Sequence, residues 1–121
     1  MFIKNSEGVY SLYSEELDPI NDYIEIVITK TPDGFEVSDY GYFYDEFIKF
    51  LPDKNKLIKI KDKYKNIKFV NEKFFINSNK DDVFENIILI EEFLKDLSAS
   101  IKKTRRRKWK KQLKILQQRK C

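Results

Sequence analysis

The sequence predicts an α+β domain in which an antiparallel sheet, built from two hairpins and an edge strand, packs on one long C-terminal helix. Two pairs of β-branched or aromatic runs are each joined by short turn segments, and helical spacing dominates the last two fifths of the chain. With 121 residues, 41% of them hydrophobic, the chain is long enough for one core. We therefore predict a globular domain over 1–100 and a basic helical extension over 101–121.

The C-terminal helix is predicted from residue 82 to residue 118, as one long helix or two stacked ones. Asp82 and Glu85 have the spacing of a capping box at its start. Apolar residues then recur at steps of three and four, which places them on one helical face: Val83, Ile87, Ile90, Leu94, Leu97 and Ile101. This face is expected to pack against the sheet.

The strand predictions rest on alternation and turn residues. An edge strand is predicted over 9–13 after a disordered start, and the polar segment 14–21, which contains Pro19, is predicted as a loop. The strongest strand is 23–30, and a turn at Pro32, Asp33 and Gly34 leads into a second arm over 35–38. Glycine is expected there because it tolerates positive φ.

Two short helices and a second hairpin complete the predicted order. Apolar spacing predicts an amphipathic helix over 42–51, ended by Pro52. Segment 53–65 favours a helix, although the alternation around Ile58 and Ile60 would also suit a strand. Segments 67–70 and 74–76 are predicted as the second hairpin.

Charge is strongly segregated along the chain. The whole protein carries 24 basic and 20 acidic residues, a net charge of +4. Residues 102–121 hold eleven cations and no carboxylate, which leaves 13 basic and 20 acidic residues, or −7, in the rest. An acidic body with a basic arm is information about binding partners.

Several classes of function are disfavoured by composition. Histidine is absent, so Ser-His, Cys-His and His-metal schemes are excluded. The single cysteine, Cys121, lies at the end of the chain, and the three glycines are too far apart for a phosphate loop. Asp33 and Glu36 lack the spacing of a metal-dependent nuclease site. We predict a non-enzymatic protein without cofactor or metal. A cytoplasmic location is predicted because one cysteine cannot form a disulfide scaffold, and no apolar run is long enough for a membrane span.

A family resemblance is carried by Asn21, Asp22 and the strand that follows, together with the run 34–42 that ends in Asp39, Tyr40, Gly41 and Tyr42. Over about residues 12–95 the chain resembles an uncharacterised family of bacterial and phage proteins, domain of unknown function 1828. The family places a second acid before the glycine, where this chain has Tyr40. The resemblance implies a fold type and a mobile-element setting without implying a reaction.

Four residues near this motif form a candidate partner-binding surface: Asp39, Tyr40, Tyr42 and Tyr44. Tyrosine offers apolar area with a polar tip, which suits recognition. The alternative, which we favour, is a structural turn in which Asp39 caps the next helix and Gly41 adopts a left-handed backbone.

The basic arm is the strongest candidate for a binding site. Its candidate nucleic-acid-binding residues are Lys102, Lys103, Arg105, Arg106, Arg107, Lys108, Trp109, Lys110, Lys111 and Lys114. On a helix, Lys103, Arg107, Lys110, Lys111 and Lys114 share one cationic stripe, opposite Trp109, Leu113 and Leu116. Such a stripe can neutralise a row of phosphates.

The sequence thus predicts a small phage-type protein that binds nucleic acid or a nucleoprotein, and more specifically an inhibitor of a nucleic-acid-guided defence nuclease. The alternative is a structural module that forms a homo-oligomer through Trp109, Leu113 and Leu116. A solvated tail is a further interpretation of the same cations, and binding to an anionic membrane surface is disfavoured.

Overall fold

A computed structural model describes the backbone of residues 2–118 and the side chains within that range, except those of residues 2, 3, 5 and 104–118. Six strands and three α-helices follow in the order β1 (Phe2–Ser6), β2 (Val9–Leu17), β3 (Tyr23–Thr31), β4 (Gly34–Ser38), α1 (Tyr42–Glu46), α2 (Asn55–Lys63), β5 (Lys68–Val70), β6 (Lys73–Ser78) and α3 (Val83–Gln118). A 3-10 turn, Ile48–Phe50, follows α1. The predicted α+β class is confirmed.

All strand pairs are antiparallel, in the order β1-β2-β3-β4-β6-β5. Both predicted hairpins are present. The strand predicted at the sheet edge, β2, differs from the prediction in two ways. It is not an edge, because β1 pairs with its outer side, and it continues to Leu17, into the segment predicted as a loop. Pairing with β3 is irregular between Tyr13 and Leu17, and within this stretch Ser14 is buried and its hydroxyl accepts from the amide of Glu16 at 3.0 Å.

The helices pack on one face of the sheet and enclose the core. Every residue of the predicted α3 face is buried except Val83, which is partly buried, and Phe93 joins them. Across from this face lie Ile24, Ile26 and Ile28 of β3, with Val37 of β4 and Ile76 of β6. Phe43 from α1 and Leu57 from α2 close the sides of the same cluster.

The opposite sheet face is polar and holds small residues at its centre. Ser11, Val27 and Ser38 are aligned across β2, β3 and β4, and all three are buried. The Ser38 hydroxyl donates to the carbonyl of Phe74 at 2.8 Å. Beside this row, Lys73 Nζ lies 2.7 Å from Glu36 Oε1, so the carboxylate of Glu36 is used in a cross-strand ion pair.

Gly34 is needed for a different reason from the one predicted. Its φ is not positive, and the two-residue connection between β3 and β4 consists of Pro32 and Asp33. A Cβ at position 34 would meet the carbonyl oxygen of Ser78 at 2.1 Å. The glycine therefore lets β4 approach the end of β6 closely.

The start of α3 is held by Asn79, which sequence analysis did not single out. Its Oδ1 accepts hydrogen bonds from the backbone amides of Asp81 and Asp82, at 2.9 and 2.8 Å. Asp82 contributes its carbonyl to the first helical turn, accepting from the amide of Asn86. Within the part of the chain that the structure describes, no helix is long and apolar enough to cross a membrane.

We expect Ile90→Ala to lower the free energy of unfolding by about 2–5 kcal/mol, because a fully buried isoleucine would be replaced by a cavity. Ile88, two residues away, is 57% exposed, so Ile88→Ala is the matched control and should change stability by less than about 0.5 kcal/mol. Denaturant titration measures both. Equal losses would show that the buried helical face is misassigned.

We expect Gly34→Ala to destabilise the protein by about 1–3 kcal/mol or more, because the added methyl overlaps a backbone oxygen that cannot move without separating β4 from β6. Asp33→Ala, in the exposed turn beside it, is the control. Thermal unfolding compares the two variants. A Gly34→Ala protein as stable as the control would contradict the close approach of the two strands.

Candidate functional site

Asp39 closes the end of β4 and caps α1. Its Oδ1 accepts from the amide of Gly41 at 2.9 Å, and its Oδ2 accepts from the amide of Phe43 at 3.0 Å. Burial raises the pKa of the Asp39 carboxyl, while the hydrogen bonds from Phe43 and Gly41 act in the opposite direction. The carboxylate is therefore used internally, as the structural alternative predicts.

Positive φ angles cluster where this turn meets the β5–β6 hairpin. Tyr40 and Gly41 have φ of 62° and 82°, and Asn71 and Glu72 have φ of 52° and 63°. Two consecutive positive φ values between Val70 and Lys73 are typical of a type I′ turn. The carbonyl oxygen of Glu72 lies 3.4 Å from the place of a Cβ on Gly41, so the two turns are in direct contact.

Asp18 is a second buried carboxylate and organises the turn between β2 and β3. It is 1% exposed. Its Oδ1 accepts from the amides of Ile20 and Asp22, at 2.9 and 3.0 Å, and its Oδ2 accepts from the Tyr42 hydroxyl at 2.9 Å. Sequence analysis missed this residue, although aspartate before Pro19 is a frequent turn signal.

Tyr42 links that turn to α1. Burial, followed by the hydrogen bond to Asp18 and the charge of that carboxylate, raises the pKa of the Tyr42 phenol well above its ordinary value. A similar contact exists just after α2, where the Tyr64 hydroxyl donates to Asp96 and burial is the largest cause that raises the pKa of Tyr64 to about 12. Both phenols are therefore held protonated as donors.

A cleft of about 380 Å³ opens beside the two contacting turns. Its lining includes Tyr40, Tyr42 and Tyr44 together with several acids, and none of the described residues that line it is cationic: Glu25, Asp39, Asp45, Glu46 and Glu72 are its carboxylates. Such a cleft favours a positively charged group over an anion. Asp45 is already paired with Lys49, Nζ to Oδ1, at 3.0 Å.

The predicted partner-binding residues therefore separate into two groups. Asp39 is buried, whereas Tyr40 is 63% exposed and its ring lies 5.7 Å from Lys73 Nζ. Tyr42 lines the cleft and donates its hydroxyl to the buried Asp18. Tyr44 lies between the cleft and a second, apolar depression. Whether the tyrosines bind a partner stays a prediction.

The second depression is a groove of about 210 Å³ between α1, α2 and β5, which we call the apolar groove. Tyr44, Ile48, Leu57, Ile58, Phe69 and Phe74 line it, with Lys54 and Lys61 at its sides. Phe69 lies between two rings, with centroid distances of 5.7 Å to Tyr44 and 4.6 Å to Phe74. Sequence spacing did not reveal this groove, because its walls come from separate elements.

Two lysines, Lys54 and Lys61, line the apolar groove, and we call this pair its lysine surface. Residues 53–68 contain seven lysines and two aspartates, a net charge of +5: Lys54, Lys56, Lys59, Lys61, Lys63, Lys65 and Lys68. All are exposed except Lys61, which is half-buried. The body thus carries its own cationic segment, which the overall count of −7 conceals.

The basic arm continues directly from the core helix. Ile101 is fully buried, and the backbone remains helical for 17 further residues, to Gln118. Lys102 Nζ lies 3.5 Å from Asn21 Oδ1, and Lys103 is exposed. The other candidate nucleic-acid-binding side chains, and the stripe of Trp109, Leu113 and Leu116, lie outside the described residues.

Among the residues whose side chains the structure describes, no group of three or more His, Cys, Asp or Glu residues could hold a metal ion. Comparisons with protein-family models, with curated proteins and with solved structures find no match. The resemblance to domain of unknown function 1828 therefore stays a prediction.

We expect Tyr42→Phe to lower the free energy of unfolding by about 1–3 kcal/mol at neutral pH, because Asp18 would lose one of its three donors. Tyr40→Phe, the same change at an exposed ring, is the control. The raised pKa of Tyr42 also makes stability depend on pH. Its contribution to the free energy of unfolding is fully present below pH 10.0, and it is lost at higher pH because the Tyr42 phenol ionises first in the unfolded chain. Denaturant titration at neutral pH and above pH 10.0 should show a smaller alkaline loss in Tyr42→Phe than in the native protein.

Proposed function

We propose that this protein is a non-enzymatic binding protein that engages nucleic acid, or a nucleoprotein, through the basic end of α3. One observation carries the proposal. Up to Ile101, α3 packs in the hydrophobic core, and the same helical backbone then continues through a segment, Lys102 to Lys114, that holds nine cations and no carboxylate. The 17 residues beyond Ile101 span about 26 Å at 1.5 Å per residue.

The spacing of these cations supports phosphate binding. On a helical backbone, Lys103, Arg107, Lys110, Lys111 and Lys114 fall on one side, so their charges can face a single strand. Arginine adds bidentate contacts to phosphate oxygens. A row of this kind binds with little preference for sequence, because phosphates carry no sequence information.

The acidic remainder of the protein supports a nucleoprotein over free nucleic acid. Residues 1–101 carry 13 basic and 20 acidic residues, and the tyrosine-lined cleft concentrates several of these acids. A protein that itself binds nucleic acid presents a cationic channel, to which an acidic surface is complementary. Within this class we propose a nucleic-acid-guided defence nuclease as the partner and inhibition as the outcome.

The tail proposal predicts a specific salt dependence. If five cations neutralise five phosphates, the logarithm of the binding constant should fall linearly with the logarithm of salt concentration, with a slope of about −3.5 to −4.5. Arg107→Glu with Lys110→Glu should weaken binding strongly and flatten this slope. The melting temperature should change little, since exposed charges contribute little to stability.

The experiment is a titration with mixed-sequence RNA and with mixed-sequence DNA at several salt concentrations. Lys56→Glu with Lys59→Glu is the matched control, because it makes the same change in net charge on exposed lysines of α2. The control should bind nearly as the native chain does. Full binding by the Arg107→Glu, Lys110→Glu protein would refute the proposal.

A further inference from the structure

The apolar groove and its lysine surface are built from residues outside the basic arm, and they suit a partner that combines apolar side chains with negative charge. Ile58 and Phe69 at the groove are 57% and 43% exposed, and they lie beside Lys54 and Lys61. Lys54 and Lys61 contribute their carbon stems to the sides of the groove and leave their ammonium groups for a partner. The matching ligand is a bulky apolar side chain flanked by carboxylates.

Nucleic acid fits this groove less well than a protein segment does. Base stacking needs an open ring face, but Phe69 is contacted by Tyr44 and by Phe74. The remaining groove walls are the aliphatic side chains of Ile48, Leu57 and Ile58. An inserted apolar side chain would be buried by such walls.

The chain carries a segment with the required chemistry at the start of α3. Residues 81–92 contain five carboxylates and no cation, a net charge of −5: Asp81, Asp82, Glu85, Glu91 and Glu92. On the same segment Phe84 and Ile88 are 65% and 57% exposed. Because they are four residues apart on a helix, they lie one above the other on one face. We call residues 81–92 the acidic ridge.

Charge and apolar area are thus matched between two surfaces of one chain. Lys54 and Lys61 at the groove are seven residues apart, Glu85 and Glu92 on the acidic ridge have the same spacing, and each surface presents exposed apolar side chains. Among the described residues, no ion pair joins one surface to the other. Both charges are therefore available to a neighbour.

We propose that the apolar groove binds the acidic ridge of a second copy of this chain. Ile88, with Phe84 beside it, would enter the groove, and Lys54 and Lys61 would face Glu85 and Glu92. If two such joints form at once the assembly closes as a dimer; if only one forms, the copies add head to tail and the mass grows with concentration. This interface does not use the basic arm, so it is independent of the nucleic-acid proposal.

Charge reversal tests the pairing directly. One variant carries Lys54→Glu and Lys61→Glu, and the other carries Glu85→Lys and Glu92→Lys. Each variant alone brings like charges together, so its self-association should weaken at least about tenfold. In an equimolar mixture every joint is again between opposite charges, and association should return to the native level.

The measurement is sedimentation equilibrium on the full chain, freed of nucleic acid with a nuclease, at concentrations up to about 1 mM. Lys4→Glu with Lys30→Glu, at exposed lysines outside both surfaces, is the charge-matched control and should associate as the native chain does. Ile88→Ser tests the apolar part without changing charge and should weaken association, with its melting temperature confirming that the fold is intact.

Four results would overturn the inference. The native chain could stay monomeric throughout, or the two reversed variants could associate no better together than apart. The third is association that is lost in Trp109→Ala and retained in both reversed variants, which would assign self-association to the basic arm. Reduced RNA or DNA binding by the Lys54→Glu, Lys61→Glu protein with unchanged self-association would likewise assign the lysine surface to nucleic acid.

Discussion

The fold depends on burying one face of α3 against β3, β4 and β6. Five residues of this face, from Ile87 to Ile101, are almost or entirely inaccessible to solvent, and they meet the isoleucines of β3 across the core. Apolar burial of this kind stabilises by about 25 cal/mol per Å². Most of the other elements, including the short α1 and α2, take their positions by adding one or two side chains to this contact.

Two buried carboxylates connect that core to the turns around the start of α1. An ionised side chain is costly to bury unless donors surround it. Asp18 has three donors and Asp39 has two backbone amides, so each one ties a turn to the start of α1. The cleft beside the Asp39 turn is acidic because Glu25, Asp45, Glu46 and Glu72 line it together with Asp39, whose carboxylate accepts from two backbone amides.

Sequence patterns predicted what depends on local spacing. The α3 face, both hairpins, the left-handed Gly41 and the capping role of Asp39 follow from periodicity and turn chemistry, and the structure confirms them. The pairing of β1, the inward Asp18 and the contact of Gly34 with Ser78 depend on segments distant in the chain. The apolar groove was missed for the same reason, since Tyr44, Ile58 and Phe69 come from three elements. The acidic cleft was indicated only through its tyrosines.

The continuity of α3 across Ile101 has an energetic consequence for the basic arm. An isolated helix must first fix about three residues for one hydrogen bond, and this nucleation step is unfavourable by a factor of about 1000. Here the first turns, from Val83 onward, are already formed by core packing. Each later residue only propagates an existing helix. The core part of α3 therefore acts as a template for the basic arm. The arm can stay helical over a length at which a free peptide of the same sequence would form a helix only poorly.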